Sequence, residues 1–181
     1  MSTKTSAPPY RDLNAFWLAI SERPWAFDLF HALRCIEAAP PEHPRLGRAP
    51  RPQMEAVRVG QMASVSFAPS TIAQVDAPTE ERPARLRILS FGLFGPNGPM
   101  PAPLTEYVRE REVLSGDRAI GAFADIFHHR LSMLFFRAWA DAQPTVSLDH
   151  PGDDCFSRYV ASLIGYGLPA QVERDAVPDH A

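Results

Sequence analysis

Lysine is almost missing from this sequence: of 18 basic side chains, only Lys4 is a lysine and the other 17 are arginine. Arginine carries a planar fork that pairs bidentately with carboxylates, which suits partly buried and interfacial ion pairs. The same bias also follows from the codon usage of a GC-rich genome. Cysteine is scarce too, with Cys35 and Cys155 far apart in the chain. Two thiols exclude a dense disulfide framework, and without a neighbouring histidine they make no zinc site. Both read as small buried hydrophobes of a reducing compartment. No apolar run approaches the ~18–20 residues of a membrane span. The opening MSTKTSAPPYRDL lacks the apolar stretch of a secretory signal. A soluble, cytoplasmic protein without direct membrane insertion is expected. The net charge is −3, so the broad positive field of a nucleic-acid or anionic-membrane binder is missing as well.

Against these absences stand 45% hydrophobic residues, the content of a globular chain, and 19 prolines in 181 residues, about twice the usual ~5% share. Residues 1–20 read as a leader arm that ends in Phe16, Trp17, Leu18 and Ile20. Pro24 to Ala39 carries Trp25, Leu29, Leu33 and Ile36 at helical spacing, and Pro40 and Pro41 end that helix. The extended run PPEHPRLGRAPRP spaces Arg45, Arg48 and Arg51 by three, and these face either solvent or an acidic partner. Val57, Val59, Val65 and Phe67 alternate as in a strand, with Gly60 at a bulge or bend. Residues 68–84 read as a loop, and LRILSF as a second strand. A helix follows to about Leu114, with Gly116 as its C-terminal cap and Asp117 capping the next.

That next helix, about Arg118 to Asp141, has the strongest pattern in the chain. Ile120, Phe123, Phe127, Leu131, Leu134 and Ala138 share one face, and Ile126 and Met133 form a second apolar strip. A helix apolar over more than half its circumference is either the central core helix or is shared with a partner. Asp153 and Asp154 suit the first turn of a last helix. Helix, two strands and three helices in that order give an α+β class. It is mainly helical, with a small antiparallel sheet and long Pro/Gly-rich loops.

Three features invite a chemical reading. Gly92, Gly95 and Gly98 lie between a strand and a helix, where phosphate loops occur. No Gly-Lys-Ser/Thr follows, though, and Pro96, Pro99, Pro101 and Pro103 have no N–H to offer an anion. A stiff turn or a partner-docking loop fits better, and whether Phe94 serves a partner or the domain's own core stays open. Asp125, His128, His129 and Ser132 form a polar stripe on the long helix. It reads as a hydrogen-bonded or solvent-facing stripe, with a metal-dependent hydrolase built on Asp125, His128 and His129 as the alternative. Adjacent histidines diverge by about 100°, whereas helical metal pairs need i, i+4 spacing. Finally, Glu106, Glu110 and Glu112 alternate with Arg109 and Arg111 as surface pairs. No carboxylate pair or serine nucleophile motif stands out. No catalytic, cofactor or metal residue is therefore assigned.

Four stretches in order, PRLGRAPRPQMEAVRVGQ, VSFAPSTI, FGLFGPNGPMPAPLTEYVRER and FADIFHHRLSMLFFRAW, resemble the TssG family, also called ImpH or VasB, of type VI secretion systems. With RPWAFDLFHALRCIE before them and CFSRYVASLIGYGLP after, the similarity spans about residues 21–170. The resemblance implies a non-enzymatic wedge component of the baseplate, the platform for the contractile tail, docked in the cytoplasm to the inner-membrane complex. It implies TssF-like and TssK-like partners, with a TssE-like protein as a further candidate, and no cofactor. Family members are usually longer. Residues 171–181 are therefore expected to lead into a C-terminal half that lies beyond this sequence.

Overall fold

Three five-residue strands form one sheet: β1 (Val57–Gln61), β2 (Ile72–Asp76) and β3 (Ala84–Ile88), with strict alternation of burial in β3 alone. They belong to a computed structural model that describes residues 13–38, 44–150 and 155–165. The chain divides into two units, Met1–Ala138 and Trp139–Ala181. Residues 1–12 of the expected leader arm, the prolines at 40–41, the caps Asp153 and Asp154, the Cys155 side chain and the tail from 171 lie outside the description.

The α+β class with a mainly helical chain stands, but the sheet is mixed. Its order is β1-β3-β2, with β1 parallel and β2 antiparallel to β3. A parallel pair needs a crossover, and here β2 with its flanking loops supplies it. The sequence pattern hid β2 because its IAQVD buries only Ile72 and Val75 among five residues, between prolines at 69 and 78. Conversely, Val65 and Phe67 do not extend β1. Both are exposed, Phe67 to 80%. Gly60 makes no bulge either, since it pairs in register with Arg87.

Side chains alternate across a strand, so the register assigns the two faces of the sheet. Val57 lies beside Ala84, Leu86 lies between Val59 and Val75, and Ile72 lies beside Ile88. All seven are buried. On the opposite face the cross-strand row is Arg58, Arg85 and Asp76. One face is apolar and the other charged.

Helix α1 (Leu13–Glu22) buries Phe16, Trp17 and Ile20, with Phe16 edge-on to Trp17 at 5.3 Å. The helix expected from Pro24 starts five residues later as α2 (Leu29–Glu37). A 3-10 turn occupies Pro24–Ala26. Asp28 decides this start: its carboxylate accepts the Phe30 N–H at 2.9 Å and the His31 N–H at 3.4 Å, which satisfies donors the helix leaves open. Leu29, Leu33 and Ile36 are buried as the spacing requires. Trp25, left in the turn, is 64% exposed.

Helices α3 (Ala102–Ser115) and α4 (Ala119–Ala140) fall where the sequence puts them. Gly116 caps α3 at a left-handed φ of 65°, and Asp117 accepts the Ala119 N–H at 2.9 Å. The second unit holds the end of α4, a short α5 (Pro144–Leu148) that the sequence did not reveal, and α6 (Cys155–Leu163).

Phe94 belongs to the domain's own core. It is 5% exposed and clusters with Ala63, Val108 and Ala124. Truncating a buried phenylalanine removes its transfer energy and leaves a cavity. Phe94→Ala is expected to cost about 3–5 kcal/mol, read as a lower urea midpoint with an unchanged m-value. A loss below about 1 kcal/mol would move Phe94 out of the core.

Candidate functional site

Helix α4 turns its polar stripe inward. His128 is fully buried, Ser132 is 1% exposed and His129 8%, whereas Phe123 and Ile126 are each 64% exposed. Phe127, Leu131 and Leu134, which the sequence left either to the core or to a partner, are exposed as well. Of the two readings the sequence left for the polar stripe, the hydrogen-bonded one is what the structure shows. The reason lies in what the helix covers. β1 is an edge strand with one side unpaired, and bare N–H groups there call for acceptors, not methyl groups.

Asp125 and His129 supply those acceptors. The Val59 N–H donates to His129 Nδ1 at 3.3 Å, and the Gln61 N–H donates to Asp125 Oδ1 at 2.9 Å. Four helical residues rise about 6.0 Å and two strand residues about 6.6 Å. The i, i+4 pair of α4 therefore matches the i, i+2 pair of β1. Gly60 sits between the two bonds, where a Cβ would run into the Asp125 carboxylate. Only glycine lets the helix come this near.

The Asp125 carboxylate and both ring nitrogens of His128 are occupied. Asp125 Oδ2 accepts from Arg85 at 2.6 Å, and Asp125 Oδ1 lies 3.1 Å from His128 Nδ1. His128 Nε2 accepts the Leu93 N–H at 3.0 Å, so the proton of this imidazole sits on Nδ1 and points at Asp125. Burial raises the Asp125 carboxyl, but the hydrogen bonds from His128, Gln61 and Arg85 outweigh it and hold it below the usual range. His129 is pushed down to about 4, first by burial and then by Arg58 and Arg130. Its ring is neutral at physiological pH, as an acceptor must be.

The same bonding accounts for the glycine loop. Three consecutive N–H groups are taken by side chains: Leu93 by His128, Phe94 by Gln61 Oε1 at 2.8 Å, and Gly95 by Thr105 Oγ1 at 3.1 Å. Gln61 Nε2 donates back to the Phe94 carbonyl at 2.7 Å. Gly92, at a φ of 150°, passes so near Gln61 that a Cβ would strike its amide. An anion would find these donors already spent. Among the described residues, no group of three His, Cys, Asp or Glu is placed to hold a metal ion. Nothing in this geometry favours the hydrolase alternative.

These side chains fasten the GLFGPNGPMP loop to β1 and α4, joining three of the stretches on which the family resemblance rests. The family comparison agrees: the family described as Type VI secretion, TssG matches residues 23–181. The chain belongs to the TssG family. That family is a structural component of the type VI secretion baseplate, not a known family of enzymes. No curated protein and no solved structure matches the chain. Among the described residues, no helix is long and apolar enough to cross a membrane.

A second buried tie helps hold α4 in this TssG chain. The Glu37 carboxylate, 2% exposed, accepts from Arg137 at 3.0 Å and from Arg45 Nε at 2.9 Å, and Arg137 also donates to the Leu46 carbonyl at 3.1 Å. Breaking such a pair costs about 3–5 kcal/mol, because it leaves a charge buried alone. Arg45 is therefore internal, while Arg48 and Arg51 are exposed.

His129 makes stability depend on pH. Its pKa is about 4 in the fold against 6.5 for the free side chain. Protonation thus favours the unfolded chain, and the stability present above pH 6.5 drains away as pH falls towards 4. Glu55, raised by burial, runs the other way and is present in both proteins compared. Between pH 7 and 4.5 the wild type is expected to lose about 2 kcal/mol more than His129→Gln in urea melts. Equal losses would mean that His129 is protonated in the fold.

Proposed function

We propose that this chain is a non-catalytic wedge component of the type VI baseplate that binds other baseplate subunits through the outward face of α4. The observation that carries this reading is the exposed stripe of Ile120, Phe123, Phe127, Leu131 and Leu134. Its spacing of three and four along a helix gives an apolar seam about 21 Å long, the pattern that a helix of another protein covers. Phe123 and Phe127 pack edge-on at 5.6 Å, so the ridge is pre-ordered before anything binds. The family points to TssF-like and TssK-like subunits, with a TssE-like protein as a further candidate, and to a cytoplasmic place at the inner-membrane complex. Engagement of Asp125, His128 and His129 in structural bonds supports a role without catalysis.

Because the stripe faces solvent, it can be changed without opening the core. Phe123→Ser with Phe127→Ser is expected to abolish co-purification with a co-expressed TssF-like protein. The melting temperature should stay within about 3 °C, as surface changes usually remain within ±0.5 kcal/mol. Unaltered co-purification would place the contact elsewhere on the chain.

A further inference from the structure

The charged face of the sheet borders an open cleft of about 1130 Å³ with five arginines in its walls: Arg58, Arg82, Arg85, Arg118 and Arg130. Two are answered from within, Arg85 by Asp125 at 2.6 Å and Arg118 by Glu112 at 3.2 Å. Arg58, Arg82 and Arg130 have no ion-pair partner among the described residues. Arg58 lies directly beside Arg85 across the β1–β3 pair. Like charges at facing sheet positions destabilise the sheet. Asp125 is engaged by Arg85, the Gln61 N–H and His128, Asp76 lies beside Arg85 across the β2–β3 pair, and Glu55 acts on Arg58 and Arg130 only through space, without an ion-pair contact. Five arginines thus share the cleft with three carboxylates, Glu55, Asp76 and Asp125, and an excess of positive charge is left.

We infer that this cleft docks an acidic, extended segment of a partner protein, with carboxylates meeting Arg58, Arg82 and Arg130. Charge alone would suit any anion, and the remaining lining narrows the choice. Pro52, Pro83, Ala122 and Ile126 contribute exposed apolar surface, which suits aliphatic side chains placed between the carboxylates. Glu55 and Asp76 also line the cleft and would repel an unbroken run of phosphates. A peptide that alternates charge with aliphatic residues avoids them. The guanidinium forks match carboxylates two oxygens at a time, which fixes the register of the segment. Ile126 and Arg130 stand one turn apart on α4, so the cleft adjoins the helix that carries the apolar stripe. The inference does not rest on that stripe, nor on which protein supplies the segment.

The test is fluorescence anisotropy with the full chain and a labelled synthetic peptide of alternating Glu and Leu. A lysine-for-glutamate peptide and a labelled oligothymidine serve as comparisons. The acidic peptide is expected to bind at low salt and to weaken at least tenfold in 0.5 M salt, where surface charges are screened. Arg58→Gln with Arg130→Gln should weaken it about tenfold while the circular dichroism melt is kept. Arg82→Gln, in an exposed loop, should weaken it severalfold and covers the case in which the double variant fails to fold. Equal binding by wild type and Arg82→Gln, or no binding by wild type, would overturn the inference. So would oligothymidine binding more tightly than the acidic peptide. Loss of TssF-like co-purification in the stripe variant with peptide binding retained would show the two surfaces to be separate.

Discussion

Two hydrogen bonds organise this domain: those from the Val59 and Gln61 N–H groups of β1 to His129 and Asp125 of α4. An edge strand with unpaired donors is a template for unwanted pairing and must be covered or blunted. Covering it with a helix is common, but a helix has no free backbone acceptors along its length. The side chains must provide them, and they must match the strand's repeat. Asp125 and His129 meet that demand because one turn of helix and two residues of strand rise by nearly the same distance. From this one registration follow the need for glycine at 60, the choice of His128 Nδ1 as the donor to Asp125 and the anchoring of the loop at Leu93.

The electrostatics follow from the same contact. Each net hydrogen bond contributes only about 0.5–1.5 kcal/mol, but a buried donor left unmade costs about 1–3 kcal/mol. Asp125 serves Gln61, His128 and Arg85 together. Its removal would strand three donors at once, which is why this network outweighs the exposed ion pairs of α3, each contributing at most about 1 kcal/mol. The Glu37–Arg137 tie adds a second buried attachment on the same helix, about two turns beyond His129. α4 is thereby fixed in rotation as well as in position.

Much of this was legible in the sequence. The bounds of α3 and α4, the glycine cap at 116 and the Asp117 cap depend on local chemistry, and local chemistry is written residue by residue. The unsuitability of the glycine loop for anions was legible from its prolines, although its decisive feature, the use of three N–H groups by His128, Gln61 and Thr105, joins segments 10 to 35 residues apart. β2 was missed because two buried residues in five carry too little period to register. Most instructive was α4. Periodicity separates its two faces correctly but does not say which one turns inward, and the ordinary rule that the apolar face does so fails here. The faint signal was Asp125 and His129 at i, i+4 beside a valine-rich strand that contains glycine, an acceptor pair at strand spacing.

Once the polar face of α4 is committed to the sheet, its aromatic face has no surface of this unit left to cover. No rotation of the helix could bury both. A turn that hid Phe123 and Phe127 would expose the donors of β1 and strand Arg137 and Glu37. Exposure of the stripe is therefore enforced by the polar contacts and is not a local imperfection of packing. The same rotation carries Ile126 and Arg130 to the flank above Arg58, so the apolar ridge and the arginine-lined cleft are two consequences of one constraint. A monomeric protein with no partner would gain by replacing Phe123, Ile126 and Phe127 with polar residues, since exposed aromatics risk aggregation and contribute little to the fold. Their presence on a helix held this firmly is what the proposed docking role requires: a face whose orientation is set in advance of any partner.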